Sequence, residues 1–430
     1  MPLSSQARPG SGDSRATAPV VAGRERRLLA AARGAAAVTL AGTMFSPPLA
    51  NVGAFVTLLC FALLPSARTR LGQVLAQPLA RAALLLWAAL AVATLWSDAP
   101  PMERIRDWWD WRPLLLLVIG LAIFDDEVAR RRALLAFIGA ATVGAAYSFW
   151  AWAHGYATVP QGDAAPGHVM RNTVTQSIVL ALACFFALGL AARGHWLGRR
   201  VRFALGAAAL ALLANLVFVT SGRTGHLLLL ILLLGAGLQL LDGWRRVAAI
   251  VAVPLLAALA VAVSPLLQTR FTMAVDELRA PLASEQMTSM GIRSVMWQVS
   301  WQMLRERPLL GYGMGGFGPA YEKAIERSSF TGWAATPTVD PHNQYLQVQL
   351  QAGVVGSAAF AWFLFCAFRH PGRLPYRAWA RAMLAGWCAG SLASSLFTTF
   401  AEAHMLMLLL GILLAVPRDE AAAPAPRPDG

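Results

Sequence analysis

Apolar runs recur along the whole chain, each bounded by a short polar stretch. Most are about 18 residues long, enough for a helix to cross a hydrocarbon core about 30 Å thick. No stretch shows the sustained period-2 alternation that an outer-membrane barrel requires. The runs predict spans at 28–45, 49–66, 79–97, 108–124, 133–153, 174–192, 203–220, 225–241 and 247–265. After a long interruption three more follow, at 344–367, 379–399 and 403–416. The pattern therefore predicts an all-α integral membrane protein with about twelve transmembrane helices.

The interruption, residues 266–343, is the only large polar insertion. Within it residues 288–307 read as an amphipathic helix, with Arg293, Trp297 and Trp301 on one face. The glycine-rich run 309–318 ends any helix there. Residues 1–27 and 417–430, rich in Pro, Ala, Ser and Arg, are expected to be tails without a packed structure. The N-terminal one lacks the apolar core of a signal peptide.

Composition supports the membrane reading. The chain is 57% hydrophobic and 13% charged, where a soluble chain carries roughly 25% charge. The net charge is +14, and Lys323 is the single lysine. So strong a basic balance can signal nucleic acid, but here the arginines fall into alternate loops. Arg24, Arg26 and Arg27; Arg68 and Arg70; Arg130 to Arg132; Arg193, Arg199 and Arg200; Arg245 and Arg246; and Arg369, Arg373 and Arg377 mark one side. Cytoplasmic loops collect such charge. Both termini are thus expected in the cytoplasm and the insertion on the far side, the periplasm of a two-membrane bacterium; no nucleic-acid partner is expected. The four cysteines lie inside apolar runs and read as small core residues.

Three polar residues stand against this background. In DPHNQYLQVQL, Asp340 suits an N-cap and Pro341 the first helical position, so His342 is expected in the first turn of the tenth span. The positive end of a helix disfavours imidazolium, which keeps the ring able to accept a proton; position alone leaves a headgroup anchor as the other reading. Arg223, in the outer turn VTSGRTG, runs against the charge bias of its side. Two glycines flank it, and its planar fork of donors fits phosphate oxygens; snorkelling to lipid phosphates is the alternative. Arg293 shares that outer side.

Other features carry less. The loop Asp107 to Pro113 reads by default as an interfacial tryptophan belt, with sugar stacking by Trp108 to Trp111 as a second possibility. Glu402 and His404 are expected on the outer side, as helpers of the site or as a local polar pair. The glycine-rich GYGMGG opens no βαβ unit, and it reads as a tight loop near the cleft, not a nucleotide site. No metal motif is present, and neither metal nor cofactor is expected. Few ionisable residues fall at mid-depth, which argues against a lipid or solute transporter.

The SGRTG turn, the segment from Arg293 to Phe317, and DPHNQYLQVQLQAGVVG together resemble the bacterial O-antigen ligase family. Its superfamily also holds O-antigen polymerases and pilin oligosaccharyltransferases. His342, Asn343, Leu346, Gly353 and Gly356 are the most specific part of the likeness. The resemblance implies a GT-C-type glycosyltransferase of the inner membrane. It would move O-antigen from undecaprenyl diphosphate to the lipid A–core oligosaccharide at the periplasmic face. By motif match, Arg223, Arg293 and His342 correspond to that family's essential arginines and histidine. The arginines would stabilise the diphosphate leaving group and His342 would act as base, with inversion at the anomeric carbon. The single long outer loop favours ligase over polymerase.

Overall fold

The computed structural model describes residues 14–158, 165–279 and 288–416. Among them there are helices and no strands. The helices are α1 (Ser14–Phe45), α2 (Pro47–Ala62), α3 (Ala67–Leu75), α4 (Pro78–Val92), α5 (Pro101–Trp109) and α6 (Pro113–Ile123). There follow α7 (Glu127–Ala153), α8 (Thr173–Arg193), α9 (Arg199–Phe218), α10 (Arg223–Leu240), α11 (Trp244–Val263) and α12 (Pro265–Arg279). The chain closes with α13 (Ser289–Glu306), α14 (Phe317–Glu326), α15 (Gln344–Arg369), α16 (Tyr376–Gly390) and α17 (Phe400–Leu414).

Local chemistry sets these boundaries. Proline opens α2, α4, α5 and α6, where its missing N–H costs nothing. Side chains cap others: Asp126 accepts from Ala129 N at 2.7 Å, Asn172 from Thr175 N at 2.7 Å, and Thr288 from Gly291 N at 3.0 Å. The helix α13 matches the amphipathic segment expected over 288–307.

Every sequence-predicted span contains a helix, but the lengths differ. Seven helices among the described residues are long and apolar enough to cross a membrane, and eight if the pair α2 and α3, bent by 104°, counts as one. The others are short. α6 has 11 residues and α4, α16 and α17 have 15, so they are about 16 and 22 Å long. Burial accounts for two of them: α6 and α17 are enclosed by the rest of the bundle along nearly their whole length. There they meet at Gly120 and Gly411, where a Cβ on either would come within 3.0 Å of the other's Cα. The opposite extreme is α11, which buries no residue. Such a surface suits lipid.

Three expectations need correction. Residues 14–27 are helical, because helix-favouring Ala, Arg and Glu extend α1 toward the N-terminus. The remaining tail residues, 1–13 and 417–430, lie outside the described residues. The span expected over 379–399 stops at Gly390, and the chain to Thr399 is irregular. Finally, two loop arginines are buried pillars. Arg70 pairs with Asp125 at 2.8 Å, and Arg130 donates to Ala415 O at 2.5 Å with Tyr376 beneath it.

The insertion is held to the bundle by its glycine loop. Tyr312 N donates to Leu350 O at 2.6 Å, and Met314 N to Ala93 O at 3.1 Å. Opposite this loop α15 bends at Gly353, whose φ is +61°. A side chain there would overlap the Leu309 carbonyl, and that carbonyl accepts from Val354 N at 2.9 Å.

Candidate active site

The irregular segment after α16 gathers the three motifs. At Gly390 a Cβ would lie 3.5 Å from Thr224 Cγ2, the neighbour of Arg223 in the first turn of α10. Ser391 O accepts from Gln344 N at 3.0 Å, and Leu392 O from Asn343 Nδ2 at 3.0 Å. Ala393 O accepts from Arg293 Nε at 2.9 Å. Ser395 Oγ donates to Asp340 Oδ1 at 2.6 Å. Residues near 223, 293 and 342, far apart along the chain, thus rest on one stretch of six residues.

Each candidate is positioned by its own element. Arg223 is the first residue of α10. Gly222 and Gly225 let this turn lie against α8: a Cβ on either would collide with Thr173 or Ser177, and Gly225 N donates to Ser177 Oγ at 3.1 Å. The glycines serve close approach; Gly222 has a φ of −71° that any residue adopts. Arg293, on α13, is also tied to Ser289, whose Oγ accepts at 2.7 Å. One turn further, Trp297 Nε1 donates to Pro341 O at 3.1 Å and locks α13 to the histidine turn.

His342 is not in the first turn of α15. Asn343 is the N-cap, accepting from Tyr345 N at 3.0 Å and Leu346 N at 3.1 Å. Asp340 instead accepts from His342 N at 2.8 Å, an Asx-type turn placed before the helix. His342 itself has φ +49°, the sole non-glycine residue with positive φ among those described. Left-handed backbone of this kind is uncommon outside glycine and gathers at functional sites.

Beside this turn lies a cavity of about 330 Å³. It runs between α5, the glycine loop and the first two turns of α15, with Asp107, Asp110, Asp340 and Gln351 in its lining. Asp107 accepts from Gly315 N at 3.1 Å and Gln351 Nε2 at 2.9 Å. Burial first, and then the neighbouring Asp110 charge, push its carboxyl up to about 6.

The remaining expectations divide. Of the tryptophans expected in a belt, Trp109 is exposed. Trp108 stacks on Trp87 at 4.6 Å and donates to its carbonyl, and Trp111 is buried against Phe360, so neither offers an open face to lipid. Glu402 and His404 are buried within α17, with Glu402 Oε1 accepting from Thr175 Oγ1 at 2.6 Å. Sequence reading missed two features. The run SLASSLFTT was absorbed into a span, although its five hydroxyl residues signal a break. Gln344, Gln347 and Gln351 lie at i, i+3 and i+7, an amide stripe down one face of an otherwise apolar helix.

Residues 208–361 match the family model described as O-antigen ligase, and that stretch holds Arg223, Arg293 and His342. Over that stretch the chain is similar to the O-antigen ligase family. No curated protein matches it. The matched ligase-family segment runs from within α9 into α15. The residues that carry its carbonyl platform, Gly390 to Ser395, come from beyond the match.

Proposed function

We propose that the chain is a GT-C-type glycosyltransferase that moves an O-antigen glycan from undecaprenyl diphosphate to the lipid A–core oligosaccharide. The reaction takes place at the periplasmic face of the inner membrane. The observation that carries this reading is the convergence of the SGRTG turn, α13 and the DPHN turn, all three from the family-matched stretch, on Gly390–Ser395. Arg223 and Arg293 hold the diphosphate and stabilise the charge it gains on leaving. The acceptor hydroxyl oxygen attacks the anomeric carbon, its proton passes to His342, and the C–O bond to phosphate breaks with its electron pair. Attack opposite the leaving group inverts that carbon. The twelve predicted spans all cross, the short helices being completed by irregular ends enclosed in protein.

The test is a deletion strain read on a lipopolysaccharide gel. Loss of the ladder, with lipid-linked polymer accumulating and restored by the wild-type gene, supports the ligase reading. A core carrying one repeat unit identifies a polymerase instead, and an unchanged gel overturns both.

A further inference from the structure

The cavity beside the histidine turn contains two polar groups whose hydrogen bonding is unmet. Gln351 is 2% exposed and Trp111 1% exposed. Both line the cavity, and neither Gln351 Oε1 nor Trp111 Nε1 has a hydrogen-bond partner. Native proteins rarely leave buried donors and acceptors empty, and those that remain call for an explanation.

Their geometry is fixed from behind. Asp107 takes one hydrogen bond from Gly315 N and a second from Gln351 Nε2. An acceptor-only carboxylate turns the NH₂ end of the amide toward itself, which leaves Oε1 as the acceptor on offer. The indole can only donate. A lone donor and a lone acceptor lining the same cavity match a hydroxyl-bearing ligand, because a hydroxyl group both accepts and donates.

Charge narrows the ligand. Glu103, Asp107, Asp110 and Asp340 line the cavity against a single cation, Arg106. Among the described residues no group of three His, Cys, Asp or Glu side chains is placed to hold a metal ion. The carboxylates therefore act as hydrogen-bond acceptors, and they repel phosphate. A diphosphate belongs with the arginines, whereas an uncharged polyol belongs here. The cavity also adjoins the base, because Asp340 both lines it and holds His342 N.

We propose that this cavity is the acceptor subsite, binding an uncharged, hydroxyl-rich sugar residue through Trp111 and Gln351 beside His342. The proposal rests on the transferase reading above and specifies where its second substrate sits.

The full chain in phospholipid nanodiscs is titrated separately with two probes: the dephosphorylated core oligosaccharide freed from lipid A, and undecaprenyl diphosphate. Trp111→Phe deletes the indole N–H together with part of the ring volume, and Gln351→Leu deletes the amide with a side chain of similar size. Each variant is expected to weaken oligosaccharide binding about ten-fold, the effect of one lost hydrogen bond in a buried site. Undecaprenyl diphosphate should bind as in the wild type, and the acceptor KM should rise with the loss of oligosaccharide affinity. The phosphorylated form of the oligosaccharide should bind more weakly than the dephosphorylated one. Wild-type oligosaccharide affinity in a folded Gln351→Leu protein overturns the proposal even if Trp111→Phe does not fold. So does loss of undecaprenyl diphosphate binding with the oligosaccharide unaffected, which would assign the cavity to the donor. Failure of the transferase reading looks different: the wild type binds the oligosaccharide but transfers no glycan to it.

Discussion

His342 combines a reactive ring with a backbone conformation that side chains seldom accept. Asn tolerates left-handed backbone better than most residues but cannot take up a proton. His342→Asn should therefore keep its expression and melting temperature while transfer falls by about 10²–10⁴. Transfer at the wild-type rate in that variant removes the base assignment. Arg223→Lys keeps the charge and loses the planar fork, so glycan transfer should drop at least ten-fold in a protein with unchanged insertion. Asp107 offers a test of a different kind. Its folded carboxyl holds the proton up to about pH 6, against an ordinary value of 3.8, in a setting shared with Glu103, Arg106 and Asp110. A raised value means that its contribution favours the fold at low pH and is lost as pH rises through about 6. The melting temperature of the wild type should thus gain on that of Asp107→Asn as pH falls from 7 to 5. Parallel pH curves for the two would contradict that environment.

The elements were legible where hydrophobic period and capping agreed. The amphipathic pattern of α13 and the tight glycine turn before α10 follow from residue spacing alone. The start of α15 did not, because Asp340 and Asn343 both suit a cap, and only tertiary contacts separate them: Asp340 is engaged by Ser395 and His342. The end of α16 was illegible for a similar reason. Its continuation is mostly buried, and hydropathy does not distinguish a buried irregular segment from a helix. Gly353 reads from sequence merely as part of a motif, while the structure gives its cause in the approach of Leu309 O. Gly353→Ala should strain the bend in α15 at a cost on the order of 2 kcal/mol. The expected signs are a lower melting temperature and faster proteolysis between α12 and α15. No change in either would mean that the bend is not needed to seat the insertion.

At the scale of the molecule, the sequence conveyed a helical membrane protein, but not how unequal the helices are. Hydropathy treats lipid and protein interior alike, so α17, enclosed on all sides, and α11, bare along its length, look the same as strings of apolar residues. The arginine bias predicts the orientation, and two of the residues behind it, Arg70 and Arg130, are internal struts. A fluorescent-protein fusion after residue 430 should glow in the cytoplasm, and an alkaline phosphatase fusion at residue 330 should be active in the periplasm. The reverse pair of results would invert the topology and put the histidine turn on the wrong side for a periplasmic reaction.

The segment Gly390–Ser395 meets its neighbours chiefly through main-chain oxygens, one after another, at Ser391, Leu392 and Ala393. The side chains of Leu392 and Ala393 are thus open to replacement, but the length of the segment is not. Insertion of one extra residue there would slide every carbonyl past its donor, so that the lock between α13, α15 and α16 fails all at once while each helix remains intact.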